Sequence, residues 1–258
     1  NPEFLDLKKF KLGDLIRKAD YSKTYQVISK EEETETVYSA KISTLKMNEF
    51  SRDELISLSR EVNIISQLRH PSFLKFIGYS PYDFKKRPNS VIVTEYSPNG
   101  SLQQVLELIR KGIDVDSWDD TKKLINIYGI ASGMSYLHLN DIIHRDLRPE
   151  NIFLDDYLAP KIFGDFGLSI KGQGNNSITH QSLSGFKGNQ VYSAPEILSN
   201  NEYSKSSDVY AFAYIVYEIL TNNYPFNDIS NKNQIYNDVI INGQRPVIKK
   251  VYPECYIQ

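Results

Sequence analysis

The sequence has very little cysteine and no strong excess of charge of either sign. Cys255 is the single cysteine among 258 residues, so an internal disulfide and a cysteine metal cluster are both excluded. The 30 Lys and Arg against 32 Asp and Glu give a formal net charge of −2, which does not favour a nucleic-acid partner. The chain also lacks an apolar run long enough to span a bilayer. We therefore expect no nucleic-acid partner, no membrane segment in this stretch of chain, and a reducing, cytoplasmic (intracellular) setting.

The apolar residues change their spacing along the chain. A hydrophobic content of 40% is sufficient for one large domain or for two lobes that each have a core. β-branched and aromatic residues predict strands at 24–29, 36–42, 73–79 and 91–96. An apolar stripe predicts a helix over 52–68, formed by Leu55, Leu58, Val62 and Ile65. After a break at 97–100, further helices are predicted at 122–139, 206–220 and 234–241.

One block of polar residues stands between two apolar runs. The stretch IIHRDLRPENIFL, residues 142–154, contains Asp146 and Asn151, and KIFGDFGLS downstream contains Asp165. Carboxylate and amide oxygens suit Mg²⁺ and also serve as proton acceptors near phosphates. Because Mg²⁺ keeps water and phosphate oxygens as ligands, Asn151 and Asp165 would suffice as protein ligands. Asp146 is then available to accept a hydroxyl proton.

Four motifs, in the same order, resemble those of eukaryotic protein kinases. YSAKI resembles the third strand with its lysine, HRDLRPEN the catalytic loop, DFG the magnesium loop, and YSAPE the end of the activation segment. DVYAFAYIVYEIL resembles the buried central helix of that family. The resemblance covers nearly the whole chain and implies one protein kinase domain over 1–258, without the family's final helices. It implies an α+β, two-lobed fold, with a small antiparallel β-sheet lobe and one main helix at 1–96 and a larger, mostly α-helical lobe at 97–258.

The resemblance implies a role for each polar residue of these motifs. Asp146 is the implied catalytic base, and Asn151 and Asp165 are the implied Mg²⁺ ligands. Lys41 is implied to hold the α- and β-phosphates of ATP, with Glu61 from SREVNII as its partner. The predicted helix supports this pair independently, since Glu61 lies at the edge of the apolar stripe, where a carboxylate needs a cation.

Two arginines of the catalytic loop carry further expectations. Arg148 stands where serine/threonine kinases usually have lysine, and its guanidinium is expected to reach the γ-phosphate. Arg145 precedes the base, which resembles kinases controlled by phosphorylation of the activation loop. The candidate phosphate acceptors are Ser177, Thr179, Ser182 and Ser184.

The nucleotide site implied by the resemblance lacks one feature of the family. The implied lining residues are Thr24, Ser39, Thr94, Glu95, Ser97 and Phe153, with Thr94 as the gatekeeper and the backbone of Glu95 and Ser97 bonded to adenine. The three glycine positions of the phosphate loop read Arg17, Ala19 and Ser22, where side chains restrict φ and crowd the phosphates. KIFGDFG also carries one extra residue before Asp165, which predicts a bulge.

The implied function is transfer of the γ-phosphate of ATP, with Mg²⁺, to Ser/Thr hydroxyls of protein substrates. RDLRPEN resembles the serine/threonine pattern, whereas EYSPNGSL and GQRP resemble the tyrosine-kinase-like branch. Tyrosine or dual specificity is one alternative. A pseudokinase that acts as a scaffold or allosteric module is the other, and the degenerate glycine loop motivates it. The expected activator is either another kinase or a second copy acting in trans.

Overall fold

The computed structural model describes residues 4–19, 21–31, 35–164, 166, 190–200, 202–226 and 242–246. The chain divides into two compact units. The first contains Asn1–Pro98 together with Lys161–Ser169, and the second contains Asn99–Pro160 and Ile170–Gln258. The first division therefore falls inside the break that the sequence predicts at 97–100, and a short later segment belongs with the first unit.

The first unit is built on a five-stranded antiparallel sheet. Its strands lie in the order β1-β2-β3-β5-β4. The strands are β1 (Phe10–Lys18), β2 (Ser22–Ser29), β3 (Val37–Ser43), β4 (Phe76–Ser80) and β5 (Val91–Glu95). The predicted small antiparallel sheet is thus confirmed. The sequence did not delimit β1, because six consecutive residues in its middle are exposed and show no alternation of apolar and polar side chains.

The main helix of this unit is α1 (Arg52–Gln67). It begins at Ser51, whose side chain accepts from the backbone N–H of Glu54 while the Glu54 side chain accepts from the backbone N–H of Ser51. Val62 is buried in a cluster with β4 and β5. Leu55, by contrast, is 37% exposed, so the buried stripe begins one turn later than the sequence predicts.

The face of the sheet that carries Ala40 packs as one core cluster. Adjacent strands place Val27, Ala40 and Val93 there, in a cluster that is covered by Leu5 and Phe84 from outside the sheet. Because side chains alternate along a strand, the residue after Ala40 points to the opposite face. The two faces are therefore chemically different, and the pleat of β3 separates them.

The second unit is mostly helical. Its helices are α2 (Leu102–Arg110), α3 (Asp120–Leu139), α4 (Pro195–Asn200) and α5 (Lys205–Thr221). The short strand β6 (Ile152–Leu154) belongs to this unit, and β7 (Pro160–Ile162) spans the division between the units. The predicted helices at 122–139 and 206–220 agree with α3 and α5 to within two residues, whereas the one at 234–241 lies outside the described residues.

Side chains that cap their first turns define the two long helices. Asp119 accepts from the N–H of Lys122 at the start of α3, and Ser204 accepts from the N–H of Ser207 at the start of α5. Residues of α5 such as Ile215 are fully buried. In the part of the chain that the structure describes, no helix has the length and apolar character needed to cross a membrane.

A buried amide offers a test of how α3 is anchored. Asn126 is fully buried, and its Nδ2 donates to the carbonyl oxygens of Lys122 (2.9 Å) and Leu158 (2.8 Å). We expect Asn126→Leu to lower the free energy of unfolding by about 1–3 kcal/mol, because the buried Leu158 carbonyl loses its donor. The matched control is Asn140→Leu, which removes an exposed amide bonded to the Tyr136 carbonyl and should cost less than about 0.5 kcal/mol. If urea unfolding showed equal losses of unfolding free energy for the two variants, Asn126 would not be the anchor of α3.

Candidate active site

An ion pair joins β3 to α1 in the first unit. The Nζ of Lys41 lies 2.8 Å from Oε1 of Glu61, and the Glu61 side chain is only 8% exposed. A carboxylate so poorly solvated requires a cation close by. The structure therefore brings together the two residues that the sequence paired, and it holds the Lys41 ammonium at a fixed place on the sheet.

Three of the residues expected to bind nucleotide share a sheet face with Lys41. Thr24 lies opposite Lys41 in the β2–β3 register, and Ser39 lies opposite Thr94 in the β3–β5 register. Ser39 and Lys41 are two residues apart and point the same way. All four side chains therefore lie on the face opposite the cluster around Ala40. Thr94 is buried there, and Ile92 on the same face packs against Val62 of α1.

The segment after β5 offers a restricted set of backbone groups. The N–H of Glu95 donates to the Lys75 carbonyl at 2.9 Å, so its carbonyl oxygen is the group that remains for a nucleotide. That oxygen accepts a 3.3 Å bond from the Thr94 hydroxyl and has a second lone pair. The Glu95 carboxylate lies 3.3 Å from Lys161 Nζ. Ser97 is buried, and its hydroxyl has no hydrogen-bond partner among the described residues.

The hairpin that lacks glycines has no positive φ at its described residues, although the β1–β2 register shifts just before Arg17. Arg17 pairs with Thr24 in the β1–β2 register, and the turn is closed by a 2.9 Å bond from the N–H of Ala19 to the carbonyl of Ser22. None of the described residues from 16 to 27 has a positive φ. Asp20 lies outside the described residues. Side chains at the three glycine positions are thus accommodated without a strained backbone at those positions.

The segment after β7 brings an aromatic ring to the ion pair. The Nζ of Lys41 lies 5.4 Å from the centroid of the Phe163 ring, within the range of a cation–π contact. A Cβ on Gly164 would lie 2.5 Å from the Phe166 ring, so glycine is required between the two aromatic residues. Asp165, the predicted main metal ligand, lies outside the described residues, and the predicted bulge before it is not tested.

In the catalytic loop of the second unit, the Asn151 amide is hydrogen-bonded to Asp146. The Nδ2 of Asn151 donates to the carbonyl oxygen of Asp146 at 2.8 Å and to its Oδ2 at 2.6 Å. Asn151 is buried, whereas the Asp146 side chain is 55% exposed and accessible to a reacting group. The Nε of Arg148 lies 3.8 Å from Asp146 Oδ1 and 3.6 Å from Glu150 Oε2.

Phe153 follows this loop on β6, where it is partly buried. It forms an isolated antiparallel bridge with Ser101, and the N–H of the next residue, Leu154, donates to the Gly100 carbonyl at 2.9 Å. The residue expected beneath adenine is therefore fixed by backbone bonds to the segment that precedes α2.

Asp208, which the sequence did not single out, supports the catalytic loop. Its Oδ2 accepts from the backbone N–H of His144 at 2.8 Å, and its Oδ1 accepts from the backbone N–H of Arg145 at 2.9 Å. The Nε2 of His138 lies 2.9 Å from the same carboxylate, which is buried. Arg145 has a φ of 69°, so these bonds stabilise a backbone conformation that is unfavourable for a residue with a side chain. An acidic residue in the strongly apolar stretch 206–220 was the signal for such a role.

Glu218 is a second carboxylate buried on α5 that the sequence did not single out. The hydroxyl of Tyr192 donates to one oxygen of Glu218, and the guanidinium of Arg110 on α2 binds the other. Burial raises the pKa of Glu218 above its ordinary value, although the bonds from Tyr192 and Arg110 act in the opposite direction. Burial, together with the adjacent Glu218 carboxylate, also raises the pKa of the Tyr192 phenol. The network connects α2, α5 and the YSAPE motif.

The family of the chain follows from comparison with known proteins. The family model described as the protein kinase domain matches residues 10–254, so the chain belongs to that family. The fold and the resemblance inferred from the motifs are thereby confirmed.

Three curated relatives are serine/threonine-protein kinases by name. The RAF proto-oncogene serine/threonine-protein kinase of Xenopus laevis is 34% identical over 85% of this chain. The probable serine/threonine-protein kinase drkC of Dictyostelium discoideum is 36% identical over 70% of the chain, and the putative serine/threonine-protein kinase/receptor R818 of Acanthamoeba polyphaga mimivirus is 35% identical over 78%. The matched regions span 34%, 23% and 11% of those relatives' lengths, respectively.

The role of Asp208 can be tested with a change that keeps its shape. In Asp208→Asn one side-chain oxygen is replaced by an NH₂ group, so a buried backbone N–H of His144 or Arg145 loses its acceptor. We expect a loss of about 1–3 kcal/mol in unfolding free energy and faster hydrogen exchange of those two amides. Asp141→Asn is the control, because Asp141 pairs with Lys205 at an exposed site, and this variant should leave the unfolding free energy and the exchange of both amides close to wild type. Unchanged exchange at both amides would refute the anchoring role.

The Glu218 network predicts a pH-dependent loss of stability. Tyr192→Phe removes a donor that favours the ionised carboxylate, and it should cost about 1–3 kcal/mol. When folding raises the pKa of a carboxyl group, the protein loses stability as the pH rises through the pKa of the folded state. Removing the Tyr192 hydroxyl raises the folded-state pKa of Glu218 further. The difference from wild type should therefore be larger at about pH 8 than at about pH 5. Tyr157→Phe, at a surface position, should show no such difference in urea unfolding.

Proposed function

We propose that the chain is a Ser/Thr protein kinase domain that transfers the γ-phosphate of ATP to hydroxyl groups of protein substrates. The observation that carries this proposal is the Lys41–Glu61 pair at 2.8 Å, formed by residues that two different elements contribute. The bond from Asn151 Nδ2 to the Asp146 carboxylate gives further support, because it orients both side chains that the transfer requires. Membership of the protein kinase family makes ATP the expected phosphate donor.

The proposed reaction assigns one task to each polar side chain. The Lys41 ammonium holds the α- and β-phosphates, and the Arg148 guanidinium binds the γ-phosphate. Asp146 accepts the proton of the substrate hydroxyl while the oxygen of that hydroxyl forms a bond to the γ-phosphorus. The bond from that phosphorus to the β,γ-bridging oxygen breaks, and ADP is the leaving group.

Magnesium fits the oxygen-bearing side chains that the motifs provide. Because Nδ2 of Asn151 donates to Asp146, its amide oxygen is the atom suited to a hard cation. Asn151 and Asp165 are the proposed ligands. Bound Mg²⁺ supplies neutralisation of the charge that develops on the phosphate oxygens.

The adenine end of the proposed site is assigned from the kinase resemblance. Thr24, Ser39, Thr94 and Phe153 are proposed to line it, and the Glu95 carbonyl and the Ser97 backbone are proposed to bond the base. The Glu95 carbonyl oxygen supports this assignment, because it is an acceptor and an adenine amino group is a donor.

The names of the three relatives favour Ser/Thr over Tyr as the acceptor residue. Tyrosine or dual specificity is the alternative acceptor class. We further propose control by phosphorylation of the activation loop, either by another kinase or by a second copy in trans, with Arg145 as the residue that pairs with phosphate. The candidate acceptors Ser177, Thr179, Ser182 and Ser184 lie outside the described residues. A cytoplasmic location stays a prediction.

A catalytically inactive scaffold is the second candidate function. The observation that favours it is the replacement of all three loop glycines, at Arg17, Ala19 and Ser22. The φ values of that hairpin weigh against it, since none of its described residues has a positive φ that would need glycine's freedom. The glycines of the phosphate loop govern how closely that loop approaches the phosphates, whereas the Lys41–Glu61 pair and the catalytic loop perform the transfer.

The deciding experiment measures transfer of labelled γ-phosphate from ATP–Mg²⁺ to the chain itself and to a generic protein substrate. Asp146→Asn should lower the transfer rate by about 10²-fold or more, because it removes the proton acceptor, while ATP affinity should change little. Asp141→Asn, in the preceding exposed turn, should retain the wild-type rate. Phosphoamino-acid analysis of the product then identifies the acceptor residue.

Each outcome separates the two candidate functions. Label that disappears in Asp146→Asn alone supports an enzyme. ATP binding with equal background label in all three proteins, after phosphorylation of the activation loop, would exclude the kinase and leave the scaffold.

A further inference from the structure

The connection between β4 and β5 is unusually long for a hairpin loop. It runs from residue 81 to residue 90 and therefore has ten residues, whereas such loops usually have about two to five. All ten residues are described by the structure. They read PYDFKKRPNS and include three consecutive basic residues, Lys85, Lys86 and Arg87. Long ordered loops are commonly functional.

A buried carboxylate gives this basic loop a fixed shape. The Oδ1 of Asp83 accepts from the backbone N–H of Lys85 (2.8 Å) and of Arg87 (2.9 Å), and its Oδ2 accepts from Nε of Arg87 (2.7 Å). Although burial acts to raise it, these bonds lower the pKa of Asp83 overall. Lys86 has a φ of 59°, a conformation that costs energy for a residue with a side chain and that the surrounding bonds must maintain.

The loop is also attached to the end of β3. Asn89 is buried, and its Nδ2 donates to the carbonyl oxygens of Ser43 (2.9 Å) and Leu45 (3.2 Å). Phe84 packs against the core on one face of the sheet. The basic residues are therefore presented by a scaffold with defined geometry.

This scaffold encloses a cavity of about 270 Å³ on the face of the sheet opposite Lys41. Lys23 pairs with Ile42 in the β2–β3 register, one position from the pair of Thr24 with Lys41, so the two rows point to opposite faces. The cavity is separate from the proposed nucleotide site for that reason. Apolar parts of Leu12, Tyr25, Ile42 and Phe84 line it.

The charge around the cavity is positive. Lys23, Lys85 and Arg87 line it, and Asp83 is the single acidic residue among its lining residues. Asp83 is already paired with Arg87, at 2.6 Å to Nη2. Among the described residues, no carboxylate contacts the ammonium group of Lys23 or of Lys85. The site thus presents two uncompensated cations beside apolar side chains, in a chain whose net charge is −2.

We propose that this cavity binds an acidic peptide segment of a partner protein. An aliphatic or aromatic side chain of the segment would enter the cavity, and flanking Asp or Glu carboxylates would contact Lys23 and Lys85. Charge complementarity and the apolar lining both support this occupant. A concave site with three basic residues suits a peptide better than a flat anionic membrane, which favours a broad, convex or planar basic surface. The inference goes beyond the proposed phosphate transfer and does not depend on it.

The test selects ligands from a random library of twelve-residue peptides displayed on phage. The wild-type domain is compared with Lys23→Glu/Lys85→Glu and with the control Lys8→Glu/Lys11→Glu, which carries the same charge change on exposed residues outside the cavity. We expect enriched peptides to combine an apolar residue with two or more Asp or Glu residues. A synthetic copy of an enriched peptide should bind the cavity variant at least about tenfold more weakly, and the control within about twofold of wild type.

Further measurements make each outcome decisive. Asp→Asn and Glu→Gln changes in the peptide should reproduce the loss, and thermal unfolding and ATP binding of the cavity variant should match wild type. The proposal is wrong if no acidic, apolar peptides are enriched or if they bind the cavity variant as well as wild type. It is also wrong if phosphatidylserine vesicles, but no peptide, bind in a way that depends on Lys23 and Lys85. Because ATP binding is measured separately, failure here leaves the proposed kinase function untouched.

Discussion

The catalytic loop depends on a buried carboxylate that itself performs no chemistry. Asp208, on the apolar helix α5, accepts the backbone N–H groups of His144 and Arg145. Those bonds maintain the left-handed backbone of Arg145 and set the position from which Asp146 leaves the core. A backbone amide that is buried needs an acceptor, and a carboxylate with two oxygens can satisfy two adjacent amides at once. The exposed carboxylate of Asp146 is thus oriented by a residue that remains hidden from solvent.

In the first unit, the proposed nucleotide residues around Lys41 and the basic cavity lie on opposite faces of one sheet. Lys41, Thr24, Ser39 and Thr94 lie on one face, while the core cluster around Ala40 and the basic cavity beside Lys23 lie on the other. Because side chains alternate with a period of two, neighbours such as Lys23 and Thr24 serve different surfaces. A partner that binds at the cavity would therefore leave the Lys41 face open to a nucleotide.

The glycine positions show how a family motif and its physical requirement can differ. Glycine is needed where φ is positive or where a backbone must approach another group closely. The first need does not arise at Arg17, Ala19 or Ser22, none of which has a positive φ. The second need arises at Gly164, where an added Cβ would lie 2.5 Å from the Phe166 ring. The Phe163 ring, just before Gly164, lies 5.4 Å from the Lys41 ammonium, a contact that no motif predicts.

The sequence by itself determined the family, the strand-rich and helix-rich halves, and the residues of the ion pair, because motif order and apolar spacing are local properties. It predicted the bounds of α1, α3 and α5 to within two residues. It did not delimit β1, because most residues of that strand are exposed and do not alternate between apolar and polar. Only the tertiary structure decided the partners of Asp208 and Glu218 and the pocket formed by the loop around Asp83. Those contacts join residues that are distant along the chain. A charged residue in an apolar stretch indicates that a buried partner is needed, but the sequence does not identify that partner.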